Sequence, residues 1–87
     1  MKKDWTSFEA ALNATHSWPS EYVFKFIVPK EKRLEASSIV ESFLDLAVRE
    51  SQKGRYVSIT VKALMSSSDE VVKVYKKASK IDGIISL

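Results

Sequence analysis

The stretch from Leu44 to Leu64 reads LDLAVRESQKGRYVSITVKAL, and the fold turns on how it is parsed. Its second half is unambiguous. From Arg55 to Leu64, Val57, Ile59, Val61 and Ala63 alternate with Tyr56, Ser58, Thr60 and Lys62. A period of two marks a strand with one buried and one open face. The first half admits two parsings. Leu44, Ala47 and Val48 stay in phase with a helix begun near Lys32, whereas Leu46 and Val48 alternate with Asp45, Ala47 and Arg49 as in a strand. Between the halves, Ser51-Gln-Lys-Gly54 is a turn signal, and two strands joined by a short glycine turn make a hairpin. The strand is preferred. The alternative, one long middle helix with three strands, leaves Gly54 unexplained.

Upstream, Tyr22 to Val28 (YVFKFIV) is β-branched and aromatic and closes on Pro29, which predicts a strand. Tyr22, Phe24, Phe26 and Val28 share one face; Val23, Lys25 and Ile27 share the other. That second face is semi-apolar, which implies cover by the N-terminal helix or by another subunit. Ala36, Ile39, Val40 and Phe43 then recur at i, i+3, i+4 and i+7, predicting an amphipathic helix from about Lys32 to Phe43.

Downstream, Ser67 and Glu70 stand at capping-box spacing. The helix they open runs to about Lys80, with Val71, Val74, Tyr75 and Ala78 as its apolar stripe. Asp82-Gly83 stops it, and Ile84 to Leu87 is a last strand. At the other end, Thr6 and Glu9 also have capping-box spacing, so a short helix is expected from about Ser7 to Thr15, carrying Phe8, Ala11, Leu12 and Thr15. Trp18-Pro19 ends it. Residues 1–20 are thus a helical extension, and residues 21–87 run β-α-β-β-α-β. That order is the α+β, ferredoxin-like arrangement: a four-stranded antiparallel sheet with two helices on one face.

The chain of 87 residues, 45% hydrophobic and 29% charged, is one ordinary globular domain in size and composition. With no cysteine, disulfides, thiolate metal sites and a cysteine nucleophile are excluded. A single histidine, His16, cannot build a multi-histidine metal site. Apolar runs fall far short of the ~18 residues of a membrane span, and Met1-Lys-Lys-Asp-Trp5 lacks the apolar stretch of a signal peptide. A cytoplasmic location is expected, with no cofactor, no metal and no membrane partner.

The segment QKGRYVSIT from Gln52 to Thr60, together with the ending DEVVKVYKKASKIDGIISL, resembles the YbeD-like family of small bacterial domains of unknown function. The shared features are a serine- and lysine-rich glycine turn, then tyrosine, any residue, serine, a β-branched residue and threonine, here Tyr56 to Thr60. The terminal helix and Gly83-Ile-Ile-Ser-Leu87 also match, and the likeness runs from about Trp18 to Leu87. It implies a ferredoxin-like fold akin to the amino-acid-sensing ACT domains of metabolic enzymes. No activity is established for that family, so no functional residue is carried over. ACT domains bind their amino acid at a glycine-containing loop after the first strand; Pro29-Lys-Glu-Lys-Arg33 has no glycine.

Enzymatic chemistry finds no support in the residues. An acylphosphatase site needs a glycine-rich anion loop, an arginine and an asparagine; Arg33 is present, but the loop lacks glycine and the chain's only asparagine is Asn13. An RNA-recognition motif would place stacking aromatics where Arg55 and Val57 stand. His16 reads as a polar cap, Trp5 and Trp18 as pins holding the first helix, and the serines as caps or strand-face residues.

Charge is uneven. Residues 1–51 hold seven basic and eight acidic side chains, while residues 52–80 hold seven basic and two acidic, within a net charge of +3. Lys73, Lys76, Lys77 and Lys80 lie at i, i+3, i+4 and i+7 opposite the apolar stripe. They read as a solvated outer face, or, joined by Lys53 and Arg55, as a weak, salt-sensitive footprint for an anion or a partner. The expected function is that of a non-catalytic regulatory, protein-interaction or ligand-sensing module, docking a partner or a second copy through the sheet. Weak sequence-nonspecific binding of nucleic acid by the lysine face is the alternative.

Overall fold

A computed structural model describes residues 4–40 and 42–87. In chain order it contains α1 (Trp5–Thr15), β1 (Ser20–Pro29), a 3-10 turn (Lys30–Lys32) leading into α2 (Arg33–Ser37), β2 (Asp45–Glu50), β3 (Tyr56–Met65), α3 (Ser68–Ala78) and β4 (Ile85–Ser86). The four strands form one sheet in the order β2-β3-β1-β4, with every neighbouring pair antiparallel. This is the ferredoxin-like arrangement, with the Leu44–Leu64 stretch folded as the hairpin.

Register follows from the turn. The last β2–β3 pair is Glu50 with Val57, and the Ser51 amide donates to the Tyr56 carbonyl at 2.9 Å while the Gly54 amide donates to Ser51 at 3.0 Å. Gly54 takes φ +69°, a backbone conformation that glycine adopts without steric cost. Alternation in β3 then sends Val57, Ile59, Val61, Ala63 and Met65 into the core, where Phe24, Phe26 and Val28 of β1 meet them. Phe24 and Phe26 are wholly buried, a gain of roughly 1.5–3 kcal/mol for each ring removed from water. From above, Val71, Val72, Val74 and Ala78 of α3 close the core, with Ala36 of α2, the following Ile39 and Val40, and Leu12 of α1.

Three expectations need correction. The first helix begins a residue or two earlier than its capping-box spacing suggested, because Asp4 caps it in place of Thr6: the Asp4 carboxylate accepts the Ser7 amide at 3.1 Å and the Ser7 hydroxyl at 2.7 Å. The earlier start places Trp5, Phe8 and Leu12 on one face, while Ala11 and Thr15 stay exposed. The second helix ends at Ser37 rather than near Phe43. There the Ser37 and Ser38 hydroxyls donate to the carbonyls of Arg33 (2.8 Å) and Glu35 (2.9 Å), competing for the groups a continuing helix would use. Ile39 and Val40 are nevertheless buried, whereas Phe43 is 46% exposed; Glu41, inside the expected helix, lies outside the described residues. Finally, α1 does not cover the second sheet face. It packs beside α3, with Phe8 edge-to-face on Tyr75 at 5.4 Å, on the side that α2 and α3 already occupy.

The remaining ends are close to expectation. Ser67 caps α3 by accepting the Glu70 amide at 3.3 Å, and the Glu70 carboxylate reaches back to the Ser66 amide at 2.9 Å, one residue before the usual capping-box position. The closing strand shortens to two residues, although the Leu87 amide still donates to the Lys25 carbonyl at 2.9 Å. Among the described residues no helix is long and apolar enough to cross a membrane.

Candidate functional site

With all three helices on one side, none of the described residues packs over the opposite face of the sheet. The register writes its composition row by row. Asp45, Lys62 and Val23 lie side by side, then Ala47, Thr60 and Lys25, then Arg49, Ser58, Ile27 and Ile85; Tyr56 beside Pro29 and Leu64 beside Glu21 close its two ends. Leu64 is 57% exposed, Ile85 52% and Val23 48%. Lys62 and Glu21 form an ion pair at 3.5 Å, half exposed on both sides, worth at most about 1 kcal/mol. The face therefore carries apolar side chains interrupted by Lys25 and set among alternating charges, with one hollow of about 180 Å³ beside Ile27, Arg49, Ser58 and Tyr56.

The six basic residues singled out in the sequence do not converge. Lys73 pairs with Asp69 at 3.2 Å along the exposed side of α3 and, with Lys77, borders a groove that also holds Glu70, Ser42 and Ser66. Lys76 sits in the last turn of α3, and Lys80 follows the helix end; both are exposed. Lys53 and Arg55 belong to the hairpin turn. There the Arg55 carbonyl accepts the Lys30 amide at 2.9 Å, and a hollow of about 490 Å³ gathers Lys30, Glu31, Gly54, Arg55 and Tyr56. Arg55 thus gains Lys30 as a neighbour, with Glu31 offsetting part of the charge.

His16 and the serines have local roles. Histidine Nδ1 lies 3.2 Å from the Leu12 carbonyl and 2.9 Å from the Thr15 hydroxyl, at the C-terminal end of α1, and its ring stacks on Trp18 at 5.2 Å. Trp18 Nε1 donates to Asn13 at 2.8 Å, so this tryptophan does pin the helix. Ser51 Oγ accepts the Tyr56 amide at 3.3 Å inside the turn. Among the described residues, no three histidines or carboxylates gather in a group able to hold a metal ion.

A further concavity escaped the sequence reading. Between α1, α3 and the end of β4, a cleft of about 440 Å³ is lined by Trp5, Phe8, Tyr22 and Tyr75, with Asp4 and Leu87 at its edge. The Tyr22 and Tyr75 hydroxyls meet at 3.1 Å. Burial raises the Tyr75 phenol above its ordinary value, with the bond to Tyr22 adding to the effect. The Ser7 hydroxyl and then its amide hold the Asp4 carboxyl below the usual value. The missed signal was Asp4 as N-cap: a start there sets Trp5 and Phe8 at i, i+3, on the side where Tyr75 waits.

The chain belongs to the family described as "Protein of unknown function (DUF493)", whose model matches residues 13–87. The match begins within α1 and takes in the whole sheet. No curated protein and no solved structure matches the chain.

Proposed function

We propose that this DUF493 member is a non-catalytic protein-interaction module that pairs with a second copy of itself through the open sheet face. One observation carries the reading: α1 packs with α2 and α3, so no helix among the described residues covers the face on which Val23, Leu64 and Ile85 stand about half exposed beside the half-buried Ile27. The likeness of Gln52–Thr60 to the YbeD-like domains, and through them to ACT-type regulatory domains, supports a regulatory setting.

A second copy fits because the face is complementary to itself. Consider a two-fold axis running along the row Ala47–Thr60–Lys25, between two stacked sheets. Each residue two positions before that row then meets the residue two positions after it on the same strand. Asp45 faces Arg49 of the partner subunit, Val23 faces the partner's Ile27, and Lys62 faces the partner's Ser58. Sheets in such an aligned stack lie about 10 Å apart, within reach of an aspartate and an arginine. Lys25 sits on the axis opposite its own copy, an unfavourable term that long side chains relieve by splaying outward.

Sedimentation velocity over a wide concentration series tests the reading. The expected result is a dimer with Kd of about 1–100 µM, as suits an interface at the small end of the specific range. Arg49→Asp should weaken it at least about tenfold through like-charge opposition. The swap Asp45→Arg with Arg49→Asp should restore it, and Lys25→Ala should tighten it. A monomer at every concentration, or a dimer indifferent to all these changes, overturns the proposal.

A further inference from the structure

Given the dimer proposed above, on which the inference rests, one charge of the open sheet face has no counter-charge. Lys62 pairs with Glu21 of its own chain, and across the interface Arg49 meets Asp45 of the partner subunit. Lys25 is exposed and forms no ion pair among the described residues. The two-fold axis runs along its row, so it meets Lys25 of the partner subunit. Two uncompensated positive charges therefore stand on the axis. We propose that a divalent tetrahedral oxyanion, of the class of inorganic phosphate or sulfate, binds between them and links dimerisation to anion concentration.

The rest of the row leaves space for such an ion. Register sets Thr60 between Ala47 and Lys25, and each of the three faces its own copy. Stacked sheets lie about 10 Å apart, a gap that two alanine methyl groups cannot bridge and that two extended lysines overfill. An ion beside the threonines is within reach of both ammonium groups, and Thr60 adds a hydroxyl from each copy. Splaying the lysines only lowers their repulsion. An anion between them replaces it with a charge-assisted hydrogen bond from each. Charge selects the ligand class, because two lysines balance a dianion and chloride supplies half of that. Symmetry selects within the class. The four oxygens of a free phosphate or sulfate have two-fold symmetry of their own and can meet both copies alike, whereas a phosphate monoester cannot.

The test is sedimentation velocity of the full chain in sodium phosphate, against sodium chloride of equal ionic strength. An ion that binds the dimer with Kd of about 1 mM, and not the monomer, should lower the dimer Kd about tenfold when present at about 10 mM. Sulfate should act as phosphate does, and methyl phosphate at least about threefold more weakly. Phosphate and sulfate also strengthen apolar burial in general, and Lys25→Ala separates the two effects. In chloride that variant should dimerise more tightly than the native chain, and phosphate should then change its Kd by less than about twofold. Lys25→Arg keeps the charge and should keep the response to phosphate. A dimer in chloride that phosphate leaves unchanged, or a response that Lys25→Ala retains, overturns the anion site and leaves the dimer standing. Equal action of methyl phosphate overturns its place on the axis. Monomers in both salts overturn the dimer and the site together.

Discussion

The phenolic oxygens of Tyr22 and Tyr75 stand 3.1 Å apart, joining the start of β1 to the inner stripe of α3 at the place where α1 docks. Either Tyr→Phe change removes one partner and leaves a part-buried hydroxyl behind, a cost of about 1 kcal/mol. The double change leaves neither hydroxyl stranded. Urea unfolding of the four-member cycle should therefore show the double variant more stable than the sum of the single losses implies, by at least about 0.5 kcal/mol. Strict additivity would mean that the two hydroxyls do not interact in solution.

The same pair sets a response to alkali. Burial, then the bond to Tyr22, raises the Tyr75 phenol above its ordinary value of 10.0. In the unfolded chain the phenol ionises first, so its contribution to stability is whole below about pH 10 and is lost as pH rises toward the folded-state value. The slope added is at most about 1.4 kcal/mol per pH unit for one proton. Thermal melts of the native chain and of Tyr75→Phe between pH 8 and pH 11.5 (about the range that brackets tyrosine ionisation) should run parallel at first. Above about pH 10 the native chain should fall faster. Parallel curves throughout would show that Tyr75 ionises equally well folded and unfolded.

Gly54 and Gly83 share a positive φ, +69° and +79°, but not a neighbourhood. Nothing lies within 4 Å of a Cβ placed on Gly54, whereas one on Gly83 would come within 2.8 Å of Pro29 Cγ and 3.2 Å of its Cδ. Alanine at Gly54 should cost about 1 kcal/mol for the left-handed backbone alone. Alanine at Gly83 adds a clash with a proline ring that has little freedom to yield, so a loss of about 2–4 kcal/mol is expected. Denaturation midpoints of the two variants check the order. A Gly54 variant as damaged as the Gly83 variant would count against the structure of this end.

Where a pattern ran through many residues, the fold was legible. Four inward positions in β3 and the glycine turn decided the hairpin, and the hairpin decided the strand order, because a two-helix ferredoxin-like layout has few ways to place four strands. Boundaries that rest on one or two hydroxyls were not. Thr6 and Asp4 are both good caps, and the spacing of Glu9 favoured the wrong one. Helical periodicity from Ala36 to Phe43 survived as burial of Ile39 and Val40 after the helix itself had ended, since Ser37 and Ser38 diverted its carbonyls. The open face was visible in the alternation of β1. That α1 does not cover it was not, because nothing local tells a helix which side of a sheet it will join. The aromatic cleft was hidden for the same reason: Trp5, Phe8, Tyr22 and Tyr75 come from three elements.

The misplaced start of α1 yields a sharp test of that helix. If it began at Ser7 with Ala11 facing inward, a large side chain at position 11 would be costly. In the structure Ala11 is exposed and Leu12 is 5% exposed within the core. Leu12→Ala removes a buried side chain and leaves a cavity beside the sheet, for a loss of about 2–4 kcal/mol. Ala11→Lys trades one good helix former for another at a solvated position and should change stability by less than about 0.5 kcal/mol. The two substitutions are adjacent in sequence, so a denaturant series on both isolates the helix face from any general effect of the extension. A severe loss at position 11 with a mild one at position 12 would rotate α1 by about 100°, one residue's turn, and would move Trp5 and Phe8 out of the cleft they line.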